Sequence, residues 1–377
     1  MDFELSDDHK AIQRLVRDFA DGEVRPAAEH LDKTKSFPYE IVEKLGELNL
    51  MGIPFPEEYG GGGGDTLAYA LAVEELTRVD SSVAITLCAH TSLGTQPIYL
   101  FGNEEQKLAY MPDLCAGKKL GAFGLTEPEA GSDAGNVKTN ATLDGGVWTI
   151  NGAKQFITNA GTDISGHVAI TAKTGDGEIS NLIVDKGTAG YEQGEPYRKM
   201  GWNASDTRPL SFDDCQVPEE NLLGPRGNGF KQFLHILDIG RIGVAAMGVG
   251  LAQGCLDEAL AYAKERKAFG QPIGSFQASR FALAEMRTEI DVARSHADRC
   301  IAAHVRGQLT AEEAAAAKWW CTELQKRVVD RCVQLHGGYG YMLEYPIARA
   351  YTDARITTIY GGTTEIMKEI IGRSLGI

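Results

Sequence analysis

The sequence of 377 residues has little basic character and no long apolar run. Its 37 lysines and arginines stand against 52 aspartates and glutamates, which gives a formal net charge of −15. Proteins that bind nucleic acids usually present a basic face, so this balance argues against a nucleic-acid partner. A membrane helix needs about 20 consecutive apolar residues, and the sequence predicts no membrane span. The acidic start, Met1–Asp8, lacks the basic residues that open a secretory signal.

Cysteine pairs are missing too. Seven cysteines are scattered along the chain, and none forms a Cys-x-x-Cys motif or a Cys/His spacing typical of a metal site. Reduced thiols in a cytoplasmic protein are the expected state. The cysteines therefore predict neither a disulfide framework nor a bound metal.

The chain has 44 glycines but does not alternate strands with helices. No Gly-x-Gly-x-x-Gly follows a strand pattern, so nothing supports a nicotinamide-binding fold. The run Gly60–Gly64 is not followed by Lys-Ser or Lys-Thr. It therefore predicts a flexible turn rather than a phosphate-binding loop.

The remaining patterns predict an α+β protein in three parts. Apolar residues recur at helical spacing in an N-terminal helical domain, residues 1–118. Short segments rich in β-formers, separated by turn residues, predict a middle antiparallel β-domain over residues 119–225. The helical pattern then returns and predicts a four-helix-bundle-like domain over residues 226–377.

Two local signals place helix ends. Ser6 is a candidate N-cap for the first helix. Thr310 and Glu313 have the spacing of a capping box at the start of a long helix, which Gly337 is expected to end.

A polar run punctuated by glycine, Phe123-Gly-Leu-Thr-Glu-Pro-Glu-Ala-Gly-Ser-Asp133, lies between two apolar segments. Thr126, Ser132 and Asp133 supply several hydrogen-bonding groups. Gly131 lets the backbone come close to whatever these groups hold. Such a segment suits the polar edge of a flat cofactor and the negative end of a long ligand.

This run resembles the first signature of the acyl-CoA dehydrogenases, and three later segments resemble that family in the family's order. They are Asn151–Asn159, Lys264–Gln277 and Gln334–Glu344, the last continuing to Arg349 and Asp353. Together the four segments span nearly all of the chain. The resemblance implies the acyl-CoA dehydrogenase fold, bound FAD, an acyl-CoA substrate and an electron-transfer flavoprotein that receives the electrons.

The resemblance also implies which residues hold FAD. A flavin needs donors at its pyrimidine edge and near N5, and a flat apolar wall. The family provides them at positions matching Leu125, Thr126, Thr158 and Phe156, although Phe156 alone would be taken for a core residue. Further implied cofactor-binding positions are Phe123, Gly131, Ser132, Thr363 and Glu365.

A second implied set reaches the phosphates and adenine of FAD across a subunit boundary, and its glycines let backbone amides approach the pyrophosphate. It comprises Arg266, Phe269, Gln277, Gln334, His336, Gly337 and Gly338. Taken alone, Arg266 would fit a solvated helix face. The resemblance therefore implies at least a homodimer, and the family's usual arrangement is a homotetramer.

For the substrate, the resemblance implies contacts to the CoA portion from Ser132, Asp238 and Arg241. The backbone N–H of Gly362 matches a donor to the thioester carbonyl. A donor aimed at that oxygen stabilises the enolate and makes the α-proton more acidic, as in an oxyanion hole.

The usual base for that α-proton is missing. Family members place a glutamate at one of two positions, which are Gly240 and Gly361 in this chain. The remaining candidates are His90, on a segment that lines the acyl pocket in the family, and Asp238. A lone histidine is more often structural, and Asp238 is expected to point toward CoA.

Three functions stay open. The first is FAD-dependent α,β-dehydrogenation of an acyl-CoA, with its base unassigned. The second is non-dehydrogenase chemistry on a CoA thioester by a flavoprotein of the same fold, and the third is a catalytically silent acyl-CoA-binding protein. The Met200–Thr207 stretch resembles relatives with the base near the C-terminus, and Ile359–Lys368 resembles relatives with it on the middle helix. We hypothesise that fusion of two lineages removed both glutamates.

Overall fold

A computed structural model describes residues 5–376, so residues 1–4 of the acidic start and residue 377 lie outside it. The N-terminal part consists of helices. They are α1 (Asp7–Phe19), α2 (Arg25–Thr34), α3 (Tyr39–Glu47), α4 (Thr66–Val79), α5 (Ser81–Ala89), α6 (Gln96–Phe101) and α7 (Glu104–Cys115). The Ser6 hydroxyl accepts a hydrogen bond from the N–H of His9 and caps α1, which confirms the prediction. A π-helical turn, His90–Thr95, continues α5.

The glycine run between α3 and α4 is a tightly bonded turn. The N–H groups of Gly61, Gly62, Gly63 and Gly64 all donate to backbone carbonyls of residues 52–56. A Cβ on Gly61 would lie 2.2 Å from the carbonyl oxygen of Phe55. The prediction of a turn is confirmed, but its predicted flexibility is wrong because these bonds and the close backbone approach fix it.

The middle part is one eight-stranded sheet. Its strands are β1 (Leu120–Gly124), β2 (Asn140–Asp144), β3 (Val147–Thr158), β4 (Ser165–Gly175), β5 (Glu178–Asp185), β6 (Tyr191–Gln193), β7 (Thr207–Pro218) and β8 (Leu222–Leu223). The order is β6-β7-β3-β2-β4-β5-β8, and β1 pairs with β4. Trp148, Ile150, Val168 and Phe212 are among the side chains of its buried core.

The sheet is mixed rather than wholly antiparallel, which corrects the sequence prediction. β1 runs parallel to β4 over five residue pairs, and β2 meets β4 in one parallel pair. Parallel partners need a connection long enough to return to the same end of the sheet. The polar run and the β2–β3 hairpin form that connection.

The C-terminal part is a helical bundle followed by two short helices. Its elements are α8 (Gly229–Glu265), β9 (Lys267–Ala268), β10 (Gln271–Pro272), α9 (Gln277–Val305), α10 (Ala311–His336), α11 (Pro346–Ala354) and α12 (Thr364–Ser374). The capping box of Thr310 and Glu313 opens α10, and Gly337 ends it, as predicted. All seven cysteines of the chain are free and buried.

Helix α8 is long and apolar enough to cross a membrane by length and composition, which the sequence reading did not anticipate. Most of its apolar stretch is buried between α4 and α10. Glycines allow this close packing: a Cβ on Gly250 would lie 2.4 Å from the carbonyl oxygen of Glu74, and one on Gly254 would lie 2.0 Å from that of Arg78. The helix is therefore the shared core helix of the N-terminal and C-terminal parts.

Candidate active site

The polar run leaves β1 and lies against β3. The carbonyl of Thr126 accepts a hydrogen bond from the N–H of Gln155 over 2.7 Å. The Phe123 ring is buried and stacks on Phe233, with ring centroids 6.1 Å apart. Phe123 thus anchors the start of the run in the core, while the backbone after it stays next to Phe156.

A buried ion pair fixes the same run. Lys154 and Glu127 are both almost fully buried, with Nζ and Oε1 2.7 Å apart. The Lys154 amine also donates to the carbonyls of Leu125 and Thr171, while the Glu127 carboxylate accepts from the N–H groups of Lys138 and Thr139. These bonds hold both ends of the loop that contains Leu125 and Thr126.

The charges of this pair are set by opposing effects. Burial lowers the pKa of Lys154 to about 8, and Glu127 counteracts part of that effect. Burial raises the pKa of Glu127, but the Lys154 ammonium and several hydrogen bonds lower it by a larger amount, so the net shift of the pKa is downward. The pair is therefore ionised at neutral pH.

Phe156 stands out of the sheet at a bulge of β3. Its φ of +62° is rare for a bulky residue, and its side chain is 64% exposed. The register between β3 and β7 shifts between Lys154 and Ile157, which turns the ring outward. Thr158 follows two residues later at the end of the strand. An exposed aromatic face beside hydrogen-bonding groups fits the flat ring system of a flavin.

A second region lies where α8 and α10 end in the C-terminal part. A cavity of about 500 Å³ is lined by Tyr262, Arg266, His336, Gly337 and Gly338. The His336 ring stacks on Tyr262 with centroids 4.3 Å apart, and its Nδ1–H donates to the carbonyl of Cys332 over 2.7 Å. A Cβ on either glycine would meet no atom within 4 Å. This open cradle, with the Arg266 guanidinium beside it, fits the phosphate portion of a dinucleotide.

Phe269 and Gln277 flank this region without closing it. Phe269 sits in the β9–β10 turn with a φ of +51°, and its side chain is 96% exposed. Gln277 begins α9, and Gln334 is exposed near the end of α10. The Phe269 ring buries almost nothing within its own chain.

The third region joins α8 to the loop before α12. Arg241 is buried, its Nη1 lies 2.7 Å from an oxygen of Asp238, and its Nε lies 3.5 Å from the carbonyl oxygen of Gly361. Burial raises the pKa of Asp238, against the opposing effect of Arg241. Lys318 donates to the carbonyl of Gly362 over 2.7 Å. The structure thus brings together four of the predicted substrate and base positions.

Neither glycine at the base positions leaves a Cβ in a clash. A Cβ on Gly240 would come no closer than 3.6 Å to Leu93 and 3.8 Å to the hydroxyl of Ser92. Gly361 would meet no atom within 4 Å, but its φ is +64°. A Cβ therefore fits at Gly240 without strain, whereas at Gly361 it would need a left-handed backbone.

His90 lies in the π-helical turn and has no free ring nitrogen. Its Nε2–H donates to the carbonyl of Leu114 over 3.0 Å, and its Nδ1 accepts from the N–H of Gly121 over 3.2 Å. Burial lowers its pKa to about 4. This environment suits a neutral structural histidine that joins three elements, and it argues against the base role considered above.

The other predicted positions are less enclosed. Gly131 and Ser132 are exposed in the polar run, and no atom lies within 4 Å of a Cβ on Gly131. Thr363 is the N-cap of α12, where its hydroxyl accepts from the N–H of Ile366, and Glu365 lies in the first turn. Thr363 and Glu365 thus place polar groups next to Gly362.

Sequence reasoning missed the Lys154–Glu127 pair and Lys318. One signal was available for Lys318, because it falls within a stripe of buried small residues on α10 that includes Ala314, Ala317 and Cys321. A lysine in such a stripe either snorkels to the surface or holds a specific acceptor.

Comparison with known proteins follows the same three parts. The acyl-CoA dehydrogenase N-terminal, middle and C-terminal domain models match residues 6–118, 122–215 and 227–376. A probable acyl-CoA dehydrogenase of Bacillus subtilis, YngJ, is 48% identical over the whole of both chains.

Solved structures agree with this match. Butyryl-CoA dehydrogenase from Megasphaera elsdenii has a TM-score of 0.97 and 41% identity, and the match covers 100% of both chains. A chain in a structure of the electron-transferring flavoprotein of Acidaminococcus fermentans also has a TM-score of 0.97, at 43% identity, covering 100% of this chain and 99% of that one. The chain belongs to the acyl-CoA dehydrogenase family.

Proposed function

We propose that this protein is an FAD-dependent acyl-CoA dehydrogenase that forms a double bond between Cα and Cβ of an acyl-CoA thioester. Its electrons pass to an electron-transfer flavoprotein. The observation that carries this proposal is the full-length match to a solved butyryl-CoA dehydrogenase. The residues of the three regions described above supply matching groups.

Each region has a separate task. Phe156, Thr158 and the backbone from Leu125 to Thr126 hold the flavin ring, and the Arg266 region holds its phosphates. When bound, FAD supplies the acceptor for the β-hydride. Ser132, Asp238 and Arg241 face the CoA portion, and the N–H of Gly362 polarises the thioester carbonyl.

Proton removal is the open step of this reaction. Neither Gly240 nor Gly361 offers a carboxylate, and His90 has no free nitrogen. Asp238 is bound to Arg241. We therefore leave the base unassigned and keep the two alternatives, other chemistry on a CoA thioester and silent acyl-CoA binding, as outcomes of the experiment below.

We also infer assembly and location. The exposed Phe269 ring and the open cradle at Gly337 and Gly338 favour a neighbouring subunit that completes the FAD site, and hence at least a homodimer, with a homotetramer as the family arrangement. Seven free, buried cysteines are consistent with a reducing compartment, so we place the protein in the cytoplasm.

The test is anaerobic mixing of the purified flavoprotein with a panel of saturated acyl-CoAs, including butyryl-CoA. Dehydrogenation predicts bleaching of the visible flavin band and an enoyl-CoA product detected by mass spectrometry. A perturbed flavin spectrum without bleaching or product supports silent binding. A changed thioester without an enoyl product supports other chemistry, and purified protein that cannot bind FAD overturns the proposal.

A further inference from the structure

Tyr197 packs against Phe156, the exposed ring that the proposed function assigns to the flavin. The two ring centroids lie 5.4 Å apart, and the ring planes are tilted by 45°. Tyr197 belongs to the irregular segment between β6 and β7 and is half-buried. Among the aromatic pairs of residues 5–376, this pair alone includes Phe156. Tyr197 is therefore the aromatic support of the Phe156 ring.

The backbone at Phe156 does not hold this ring by itself. A φ of +62° is unfavourable for a residue with a Cβ and persists only where the surroundings enforce it. The register shift between Lys154 and Ile157 interrupts the regular strand pairing at this point. An exposed side chain without neighbours changes rotamer within nanoseconds. A neighbouring group is thus needed to keep the ring in one orientation.

The hydroxyl of Tyr197 makes a second tie to the same place. It donates to the side-chain oxygen of Gln155, the residue before Phe156. The N–H of Gln155 in turn donates to the carbonyl of Thr126, in the polar run, over 2.7 Å. Tyr197 thus connects the bulge that carries Phe156 with the loop expected at the pyrimidine edge of the flavin.

The backbone around Tyr197 is held separately from its side chain. The Tyr197 N–H donates to the carbonyl of Thr207 over 3.0 Å, and Thr207 pairs with Thr158 across β7 and β3. The Lys199 amine donates to the carbonyl of Ser205 and to the hydroxyl of Thr207. These bonds tie the segment to the sheet without the Tyr197 ring. Support of the segment therefore does not account for the ring and its hydroxyl, which both contact the bulge of β3.

We propose that Tyr197 is a positioning residue: its ring and hydroxyl hold Phe156 so that the exposed face of that ring is ready for the flavin before FAD binds. The inference rests on the proposed function, because it needs a flavin at Phe156. Ordering a loose side chain on binding reduces affinity, so a ring that is already held increases it. An aromatic pair contributes enough to change a dissociation constant by about two- to tenfold.

The test compares flavin binding in the flavin-loaded protein and in variants of the two rings. Tyr197→Ala removes the supporting ring and its hydroxyl, Tyr197→Phe removes the hydroxyl alone, and Phe156→Ala removes the flavin-facing ring. Flavin release on dilution gives the dissociation constant of FAD. Visible circular dichroism of the bound flavin is the second measurement, because this signal depends on how the groups around the planar ring system are arranged.

We expect Tyr197→Ala to raise the dissociation constant of FAD by about two- to tenfold and to shift the visible circular dichroism toward that of Phe156→Ala. Tyr197→Phe should lie between Tyr197→Ala and the unchanged protein. In a Phe156→Ala background, Tyr197→Ala should change neither quantity further, because the ring that it supports is gone.

Tyr110→Ala is the matched control. Tyr110 is also half-buried, its ring lies 5.2 Å from that of His167, and its hydroxyl donates to the carboxylate of Asp185 over 3.2 Å. Neither partner is among the predicted cofactor-binding positions. Loss of this tyrosine should therefore leave the dissociation constant of FAD and the flavin circular dichroism unchanged.

Unchanged values of both quantities in Tyr197→Ala would overturn the positioning role, and so would a full further effect of Tyr197→Ala in the Phe156→Ala background. If Tyr197→Ala does not fold, Tyr197→Leu keeps an apolar side chain without a ring, and the same two results in that variant count against the role. The proposed function fails separately, when the unchanged protein does not bind FAD.

Discussion

The backbone N–H of Trp202 donates to a carboxylate oxygen of Asp353 over 2.6 Å, and this bond joins the β-sheet part of the chain to α11. The other carboxylate oxygen accepts from the hydroxyl of Ser81, at the start of α5, over 3.0 Å. One buried carboxyl group therefore links all three parts of the chain. Trp202 also packs edge-on against Tyr360, the residue before Gly361, with ring centroids 5.2 Å apart.

The first prediction concerns the pH dependence of this junction. Burial, with a further contribution from Asp80, raises the pKa of Asp353 to about 7, whereas an unfolded aspartate titrates near 3.8. The native state then binds more protons than the unfolded state in this window, so this group's contribution to stability is lost as pH rises from about 4 to 7. Asp353→Asn removes the titration. The free energy of unfolding of this variant, relative to that of the unchanged protein, should therefore increase by up to about 4 kcal/mol between pH 4 and pH 8.

Urea unfolding of both proteins across that pH range measures the difference. Asp176→Asn, in an exposed turn, is the control and should show no such trend. A constant difference in stability between Asp353→Asn and the unchanged protein would show that the carboxyl group is not protonated in the native state.

The second prediction tests the missing base. Gly240→Glu introduces a carboxylate where a Cβ has room, within a helix that favours glutamate over glycine. We expect flavin bleaching by butyryl-CoA to accelerate by about 10²–10⁴-fold, the usual effect of a positioned base. Gly361→Glu should also accelerate it, at a cost of about 1 kcal/mol in stability because of its positive φ. Gly240→Gln introduces a side chain of the same shape without a carboxylate, so it should not accelerate flavin bleaching. No gain from either glutamate variant would count against the fusion hypothesis.

The third prediction concerns His90. His90→Leu removes the partners of the Leu114 carbonyl and the Gly121 N–H, and should destabilise the fold by about 1–3 kcal/mol at neutral pH. The bleaching rate at saturating substrate should stay within about twofold. Urea unfolding and stopped-flow absorbance measure the two quantities. A loss of rate without a loss of stability would restore His90 as a candidate base.

The fourth prediction concerns the ion pair beneath the polar run. Lys154→Met or Glu127→Gln leaves an unpaired buried group, and each should cost about 3–5 kcal/mol. The double variant should cost much less than the sum, because no charge then remains unpaired. The ratio of bound flavin to protein should follow the same order. Additive losses would show that the two side chains act independently.

The fifth prediction concerns Phe269. Since its ring is 96% exposed and its φ is positive, Phe269→Gly should leave the unfolding of the separate chain unchanged or slightly stabilise it. FAD retention and subunit association should both weaken if the ring completes a neighbour's cofactor site. Sedimentation and flavin content after dilution measure these effects. Lys267→Ala, in the adjoining strand β9, is the control for loss of a side chain. Unchanged retention and association in Phe269→Gly would contradict the shared site.

Local signals were sufficient for much of the fold. Ser6, Thr310 and Gly337 mark helix ends because capping needs only residues within one turn. The short β-rich segments predicted parts of β3, β4, β5 and β7 but not β1, β2, β6 or β8, and β3 and β7 extend well beyond the predicted segments. Their extra length comes from pairing with each other, which no single segment records.

Contacts between distant positions escaped prediction. Lys154 and Glu127 are 27 residues apart, and Lys318 and Gly362 are 44 residues apart. Lys154, Glu127 and Lys318 carry charged groups that would be expected on the surface, and only tertiary packing buries them. The parallel pairing of β1 with β4 was missed for the same reason, because the alternation of residues along a strand does not specify the direction of its neighbour.

The glycines of α8 differ in how well they should tolerate substitution. At Gly250 and Gly254 the helix touches the backbone of α4, and a library of substitutions there should return almost only glycine. At Gly240 a Cβ would make only ordinary contacts, 3.6 Å from Leu93 and 3.8 Å from the Ser92 hydroxyl, and the same library should accept a wider set of side chains. New chemistry can therefore be added to this scaffold one residue before Arg241, on the same helix whose glycines at positions 250 and 254 leave no room for a side chain.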